Sequence, residues 1–401
     1  MVLTTKQEDG LRVAVARYKA GERYTCISGY AGTGKSTLVK FIIAALNLNP
    51  EDVAYIAFTG KAAQVLKQKG NPNATTAHKL LYYANRTKNG KYYFKPKRSI
   101  GAYKVIVVDE VSMLPKSIWD LLLSHHIYII ALGDPAQLPP IDKDQDNHIL
   151  DNPHVFLDEV MRQAKGSEIV RLSMWIRENK PIEEFPFAKE EVQFFKEKDL
   201  NMGMLLWADQ VLCATNKTRN TINNSMREEL GYGALPDEKD KLICLHNHWD
   251  YESVSGEWAL TNGIIGNIDR YNIVTERSPA LRNLKSKDVD IMYTDILLED
   301  EDKFVNCPID YNCLLTGEPS FTSKELYILN KNKPKDEDMP WFTPPYEFAY
   351  GYAITCHKAQ GSQWDKVTVL EERFPFDKDE HRRWLYTACT RASKRLTLIG
   401  K

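Results

Sequence analysis

Short apolar runs closed by glycine or polar residues alternate, over the first third of the chain, with stretches in which apolar residues recur every three or four positions. Tyr24–Ser28, Val53–Phe58, Val105–Val108 and Ile127–Leu132 read as buried strands, and Lys35–Leu46 and Lys61–Lys69 as helices. Strands alternating with helices predict βαβ units and a doubly wound parallel sheet. Each strand run is stopped by polar residues at its carboxyl end, where ligands collect on such sheets.

The alternation resumes with strand runs at Val211–Thr215, Tyr352–Thr355, Val367–Leu370 and Leu396–Ile399, and with helical patterns at Thr218–Leu230 and Lys378–Thr390. Between about Pro236 and Pro345 the texture differs. Short alternating segments appear there, Leu242–Leu245, Ile264–Ile268 and Ile291–Leu298, separated by turns and ending in the polar run Asn330–Met339 and the pair Pro344-Pro345. This predicts a small, mostly-β domain inserted into a second α/β domain. No repeat of fixed period is visible.

Composition narrows the classes. A length of 401 residues suits two or three domains, and 43% hydrophobic with 27% charged residues excludes a disordered or collagen-like chain. No stretch approaches the roughly 20 apolar residues of a membrane span. Met1–Gly10 lacks the apolar core of a signal peptide. Seven cysteines without a C-x-x-C pair indicate neither a disulfide scaffold nor a zinc ribbon, so the chain reads as cytoplasmic and reduced, with no membrane partner. Lys+Arg 53 against Asp+Glu 54 gives a net charge of −1. That argues against a continuous basic coat, so any nucleic-acid grip must be a local track or groove.

Three strings carry phosphate chemistry. Gly29-Tyr30-Ala31-Gly32-Thr33-Gly34-Lys35-Ser36, followed by Thr37, matches G-x-x-x-x-G-K-[ST] between a strand and a helix. Its glycines let backbone N–H groups point at phosphate oxygens, and the helix adds its positive end. Lys35 would neutralise the β and γ phosphates of ATP, and the Ser36 hydroxyl would ligate Mg²⁺. Asp109 and Glu110 end the strand Val105–Val108; the first can hold Mg²⁺ through water and the second can polarise an attacking water. Gln137, in Gly133-Asp134-Pro135-Ala136-Gln137, is placed to sense the γ-phosphate.

Between Tyr82 and Lys104, seven Lys or Arg residues are interleaved with Tyr82, Tyr83, Tyr92, Tyr93, Phe94 and Tyr103, with no acidic residue, and Asn89-Gly90 signals a hairpin turn. Aromatics that stack on bases beside cations that meet phosphates suit single-stranded nucleic acid. Strand alternation would put Cys244, His246 and His248 on one face, but zinc needs a further ligand, Cys307 or Cys313, and no spacing supports that closure; an ordinary β strand is the reading. Asp142, Asp144 and Asp146 read as a solvated acidic loop.

These strings, in this order, resemble the superfamily 1 helicases of the 5′-to-3′ group, the RecD and Dda type. Ala57-Phe58-Thr59-Gly60-Lys61 looks like motif Ia, although the family usually has proline where this chain has Phe58, and Thr75-Thr76-Ala77-His78 looks like motif Ib. Leu157–Arg162 resembles the segment with the motif IV arginine, and Thr215-Asn216-Lys217-Thr218-Arg219 the strand end of the second motor domain. Tyr352–Ser362, containing Thr355, His357, Lys358 and Gly361, is similar to motif V, and Tyr386–Ala392, containing Arg391, to motif VI. Leu260–Gly266 resembles the start of the family's SH3-like insertion.

The resemblance implies two RecA-like P-loop domains. Domain 1A would span 1–150 with a β-hairpin pin, 1B, at about 82–104. Domain 2A would span 151–235 and 346–401, and the SH3-like domain 2B 236–345. It implies ATP hydrolysis between the motor domains, with Arg162 and Arg391 as arginine fingers and Gln7 reading adenine. Phe58, Thr59, Lys61, Thr76, His78, Thr215, Asn216, Arg219, Thr355, His357 and Lys358 would line a single-stranded DNA track, with Tyr93 and Phe94 contacting the fork. The expected activity is a monomeric ATP-dependent 5′-to-3′ DNA helicase of a bacterial or phage-infected cell, with replication or recombination proteins as partners. The alternatives are a motor subunit of a recombination or exonuclease complex, and a nucleotide-gated DNA-binding remodelling protein without processive unwinding.

Overall fold

The computed structural model describes residues 3–86, 92–139, 147–161, 166–334, 341–372 and 377–400. It forms two compact units, one comprising Met1–Leu81, Arg98–Arg219 and Ile354–Lys401, the other Tyr82–Lys97 and Asn220–Ala353.

The first unit contains two parallel sheets. In one, the strand order is Ala74–Thr76, Val53–Ala57, Val105–Val108, Tyr128–Gly133, Tyr24–Gly29, Val155–Leu157, all parallel. Val105–Val108 and Tyr128–Gly133 are buried along their whole length, as strands covered on both faces must be. The helix Lys35–Ala45 presents Leu38, Val39 and Ile42, the i, i+1, i+4 face, to a core shared with Ile27, Ile130 and Leu132. The other sheet runs Ala353–Thr355, Gln210–Cys213, Trp364–Leu370, Ala392–Gly400, Val192–Lys196, parallel from the second strand onward. The helix Lys378–Cys389 contributes Trp384, Leu385, Tyr386 and Ala388 as buried residues.

The second unit holds a five-stranded sheet ordered Lys303–Asp310, Asp288–Leu297, Ile265–Arg277, Lys241–Cys244, Phe348–Tyr350, antiparallel throughout. It also holds the antiparallel ribbon Tyr82–Arg86 with Tyr92–Pro96, and the short helices Tyr311–Thr316 and Ser323–Lys331. The turn signal Asn89-Gly90 lies outside the described residues, as do Asp142, Asp144 and Asp146.

Several elements differ from the hydrophobic pattern. The strand expected at Ile264–Ile268 runs from Ile265 to Arg277, because polar residues beyond Ile268 pair across to Asp288–Leu297 on a largely exposed ribbon. The run expected at Tyr352–Thr355 forms the strand Ala353–Thr355 of the parallel sheet, and a separate strand just before it, Phe348–Tyr350, belongs to the antiparallel one. The amino-terminal helix Thr5–Lys19 escaped the pattern because its mean hydropathy is low. It is closed by a capping box between Thr4 and Gln7.

Cys244, His246 and His248 do not share a strand. The strand ends at Cys244, which is buried; His246 turns to Glu347 at 2.9 Å, and His248 stacks on Tyr346 with centroids 3.7 Å apart. Among the described residues no three His, Cys, Asp or Glu side chains form a metal-holding group, and no helix is long and apolar enough to cross a membrane. All seven cysteines are buried free thiols.

In the second unit Arg227 and Asp240 are a buried ion pair. The arginine Nε lies 3.1 Å from both carboxylate oxygens, its Nη2 donates to the Leu235 carbonyl at 2.7 Å, and its guanidinium covers the Tyr350 ring. Tyr352 donates to the same carboxylate at 2.8 Å. Removing one partner of such a pair leaves an uncompensated charge in the interior. Arg227→Ala is therefore expected to cost about 3–5 kcal/mol, read as a lower urea midpoint; a loss below about 1 kcal/mol would place the pair among solvent-screened ones.

Candidate functional site

The loop after Tyr24–Gly29 is shaped by residues without a side chain. A Cβ at Gly29 would stand 2.8 Å from the Leu157 carbonyl oxygen and from Thr33 Oγ1. Gly32 and Gly34 take positive φ of 76° and 79°, and a Cβ at Gly34 would lie 2.5 Å from Gln7 Nε2. Lys35 Nζ donates to the carbonyls of Gly29 (2.5 Å) and Tyr30 (3.1 Å), so the ammonium is curled over the loop. Thr33 is buried and donates to the Tyr30 carbonyl at 2.8 Å, while Ser36 is exposed at the first turn of the helix and Thr37 half-buried. An exposed hydroxyl and the Asp109 carboxylate are hard oxygen donors of the type Mg²⁺ takes, and the glycine-lined loop admits close approach of a phosphate, so these residues fit ATP with Mg²⁺.

Gln7 is buried, and both ends of its amide are hydrogen-bonded. Its Oε1 accepts from Thr4 N–H at 3.0 Å, and its Nε2 lies 3.0 Å from both the Thr33 carbonyl and Met161 Sδ. In this conformation it braces the loop.

Asp109 and Glu110 stand at the end of Val105–Val108. Glu110 adopts a left-handed backbone, φ 53°, and its N–H donates to Asp109 Oδ1 at 3.2 Å. Gln137 Nε2 lies 3.3 Å from Glu110 Oε1 and Arg391 Nη1 3.9 Å from the same oxygen. Burial pushes the Glu110 carboxyl above its usual range; Arg391 and Lys35 oppose this, while Asp109 and Asp134 add to it. Arg391 is itself buried and held by the carbonyls of Thr387 (3.1 Å) and Ser362 (3.3 Å) and by Thr390 Oγ1 (3.2 Å). Arg162 lies outside the described residues.

The segment Gly133–Leu138 is tied to the second sheet's elements residue by residue. Tyr386 donates to Asp134 at 2.6 Å, and Arg383 Nη1 to the Pro135 carbonyl at 3.1 Å. Leu138 N–H donates to Thr387 Oγ1 at 2.9 Å, and Gln360 Nε2 to the Leu138 carbonyl at 3.0 Å. Sequence reasoning gave none of Asp134, Gln360, Arg383, Tyr386 and Thr387 a role. A signal existed: Arg383, Thr387 and Arg391 recur every four residues, the spacing of a polar stripe on one helical face.

The residues expected to line a track are dispersed over both sheets' strand ends. Thr59 caps the helix Gly60–Gln68 by accepting from Ala62 N–H at 3.2 Å; a Cβ at Gly361 would lie 2.8 Å from Ala62 Cβ. Thr76 is buried and accepts from Lys79 N–H at 3.2 Å. Phe58 and His78 are half-buried neighbours with rings 6.1 Å apart. Burial pushes the imidazoles of His78 and His357 below their usual range, which favours the neutral form. Thr355 and Arg219 are buried, Lys358 is half-buried, and Thr215 and Asn216 are exposed.

Thr215 is already occupied. Glu372 accepts from the N–H groups of Ala214 and Thr215 and from the hydroxyls of Thr215 and Thr218. A carboxylate thus sits on the donors expected to meet DNA phosphate. Tyr93 and Phe94 pair with Asn85 and Ala84 across the ribbon. Their side chains, and that of Lys61, lie outside what is described.

Residues 3–198 match a family model described as an AAA domain, and residues 350–399 one described as a UvrD-like helicase C-terminal domain. Over 146 residues the chain is 31% identical to the ATP-dependent DNA helicase dda of Enterobacteria phage T4, covering 35% of this chain and 33% of that protein. Over 396 residues it is 26% identical to the ATP-dependent RecD2 DNA helicase of Deinococcus radiodurans, covering 95% of this chain and 47% of the relative. The chain therefore spans between a third and a half of these relatives. Among solved structures, the Pif1 helicase from Candida albicans aligns over 100% of this chain and 94% of its own at a TM-score of 0.51 and 17% identity. Bacteroides Pif1 bound to single-stranded DNA aligns over 99% and 92% at 0.52 and 16%. At that identity the likeness shows the fold, which is a pair of RecA-like domains. With both domain models matched in order and the cradle and acid pair gathered at strand ends, the chain belongs to the superfamily 1 helicases of the RecD and Dda type.

Proposed function

We propose that this chain is an ATP-dependent DNA motor that moves 5′ to 3′ along a single strand and opens duplex DNA with the ribbon Tyr82–Pro96. One observation supports this most: Glu110, Gln137 and Arg391 meet around one carboxylate oxygen, drawn from two sheets of one unit. A hydrolytic cleft needs that combination, in which a base, a water-orienting amide and a cation for developing charge converge.

In this reading Glu110 takes the proton of the attacking water, Gln137 orients that water, and Arg391 and Lys35 stabilise charge on the transferred phosphoryl group. Ser36 and Asp109 would hold Mg²⁺, which would supply Lewis-acid neutralisation of the phosphate oxygens. Hydroxyls and strand-end backbone groups at Thr59, Thr76, Thr215 and Thr355 suit phosphate contacts that position a strand without reading sequence. The T4 and Deinococcus relatives are named as ATP-dependent DNA helicases, which supports DNA as the polymer.

The deciding measurement is ATPase rate with and without single-stranded DNA, beside unwinding of matched 5′-tailed and 3′-tailed forks. Strong stimulation with opening of the 5′-tailed fork alone is expected; opening of the 3′-tailed fork would reverse the polarity, and no stimulation would remove the motor. Because a base must be ionised to act and burial raises the Glu110 pKa, turnover should climb with pH on an acid limb above the ordinary carboxylate range. Glu110→Gln should abolish turnover at every pH while nucleotide still binds, and normal hydrolysis by that variant would put the base elsewhere.

Glu372→Ala should free the donors around Thr215 and tighten single-stranded DNA binding about threefold to tenfold in low salt. The log–log salt slope should steepen by about 0.7 for one added phosphate contact. An unchanged affinity would take Thr215 out of the track.

A further inference from the structure

Tyr386 lies on the helix Lys378–Cys389 and is 1% exposed, yet its hydroxyl reaches away from its own sheet. It donates its one proton to Asp134 Oδ2 at 2.6 Å and accepts the Ala31 N–H at 2.9 Å. Ala31 belongs to the phosphate-binding loop. Asp134 precedes Gln137 and accepts, through Oδ1, the Ala136 N–H at 3.0 Å. One phenol oxygen therefore joins the cradle and the Gln137 segment, and it comes from the helix that leads into Arg391.

A second contact grips the same loop from the same side. Arg177, at the end of the helix Glu168–Arg177, covers the ring of Tyr30 at 3.7 Å, and its carbonyl accepts from Arg382 Nη1 at 2.8 Å. Tyr30 and Ala31 are thus held at consecutive positions by elements of the second sheet. Burial and Asp134 both hold the Tyr386 phenol well above its usual range, which keeps the proton available for donation.

We propose that Tyr386 is a positioning residue for hydrolysis: its hydroxyl locks the cradle backbone and the Gln137 segment into one arrangement, and only while the finger helix is seated against them. The proposal rests on the ATPase reading above. The consequence is specific to turnover. Ala31 presents its N–H to Tyr386, so removing the phenol oxygen leaves the cradle glycines, Lys35 and Ser36 to bind nucleotide. What is lost is the tie that fixes Gln137 beside Glu110 when the second sheet's helix approaches. The effect should fall on kcat with KM for ATP nearly unchanged, the pattern of an interaction made in the transition state.

Tyr386→Phe deletes that single oxygen. With saturating single-stranded DNA its kcat is expected to fall about tenfold to a hundredfold, the worth of one hydrogen bond to a charged group. KM for ATP should move less than about threefold. Tyr128→Phe is the control, since it also removes a buried hydroxyl, one that donates to the Ala14 carbonyl at 2.9 Å away from the cleft. Its kcat should match wild type. Asp134→Asn is the second variant: it should lose turnover in the same pattern, and combined with Tyr386→Phe it should cost little more than either alone. If Tyr386→Phe does not fold, Asp134→Asn carries the test through the same split between kcat and KM. A wild-type chain without ATPase activity would refute the hydrolysis reading itself. An active wild type, with Tyr386→Phe within twofold of its kcat or raising KM alone, would overturn the role of Tyr386.

Discussion

A carboxylate buried at the end of a sheet strand is ionised only where cations and donors compensate its lost hydration. Desolvation pushes the half-buried Glu110 carboxyl upward, and the groups that oppose this are divided between two parts of the chain. Lys35 opens a helix and Gln137 lies in a loop beside the first sheet, and Arg391 follows the helix Lys378–Cys389 beside the second. Arg383 and Thr387 of the helix Lys378–Cys389 bond the Gly133–Leu138 segment, Arg391 just beyond that helix approaches Glu110, and Trp384, Leu385 and Ala388 of the same helix are buried.

The segment that carries Gln137 has little regular structure of its own. Its conformation is set by bonds to Tyr386, Thr387, Arg383 and Gln360, and by the internal turn at Asp134. A loop defined by an opposing surface changes when that surface moves, whereas a loop defined by its own turns does not. The cradle is of the second kind, since its glycines and its helix fix it locally, with Tyr386 and Arg177 added from outside. The two loops therefore differ in what fixes them: the glycine loop is set mainly by its own backbone, and the Gly133–Leu138 segment by bonds to the second sheet's elements.

What could be read in the sequence follows the range of the interactions. Val105–Val108 and the cradle were legible because their determinants are local, a run of buried residues in one case and glycine spacing in the other. Asp109, Glu110 and Gln137 were legible because strand ends collect ligands. Tyr386 was not, because its partners lie 355 and 252 positions away, and tyrosine in a helix looks like core. Glu372 was missed for the same reason: its partners at Thr215 and Thr218 are 157 and 154 positions distant. Gln7 is a further case of distant partners. The residue was noticed, but a sequence cannot show that the amide is already committed to Thr4, Thr33 and Met161.

Glu372 has a neighbour that gives its position mechanical meaning. The strand Trp364–Leu370 is followed directly by two carboxylates, Glu371 and Glu372, with different partners. Glu371 meets His381 at 2.9 Å on the finger helix, while Glu372 meets the Thr215 turn. The helix that bears Tyr386 and leads to Arg391 is therefore joined to the strand end at Thr215 through two adjacent residues. A shift of that helix on closure would pull on one carboxylate and so strain the bonds of the other. Backbone geometry sets how directly such a shift is passed on: consecutive Cα atoms lie about 3.8 Å apart across a planar peptide, so the two side chains cannot move independently by more than their own rotamers allow. The helix that bears Tyr386 and the turn at Thr215 are thus tied to adjacent residues of one chain segment, and a single peptide bond connects the two ties.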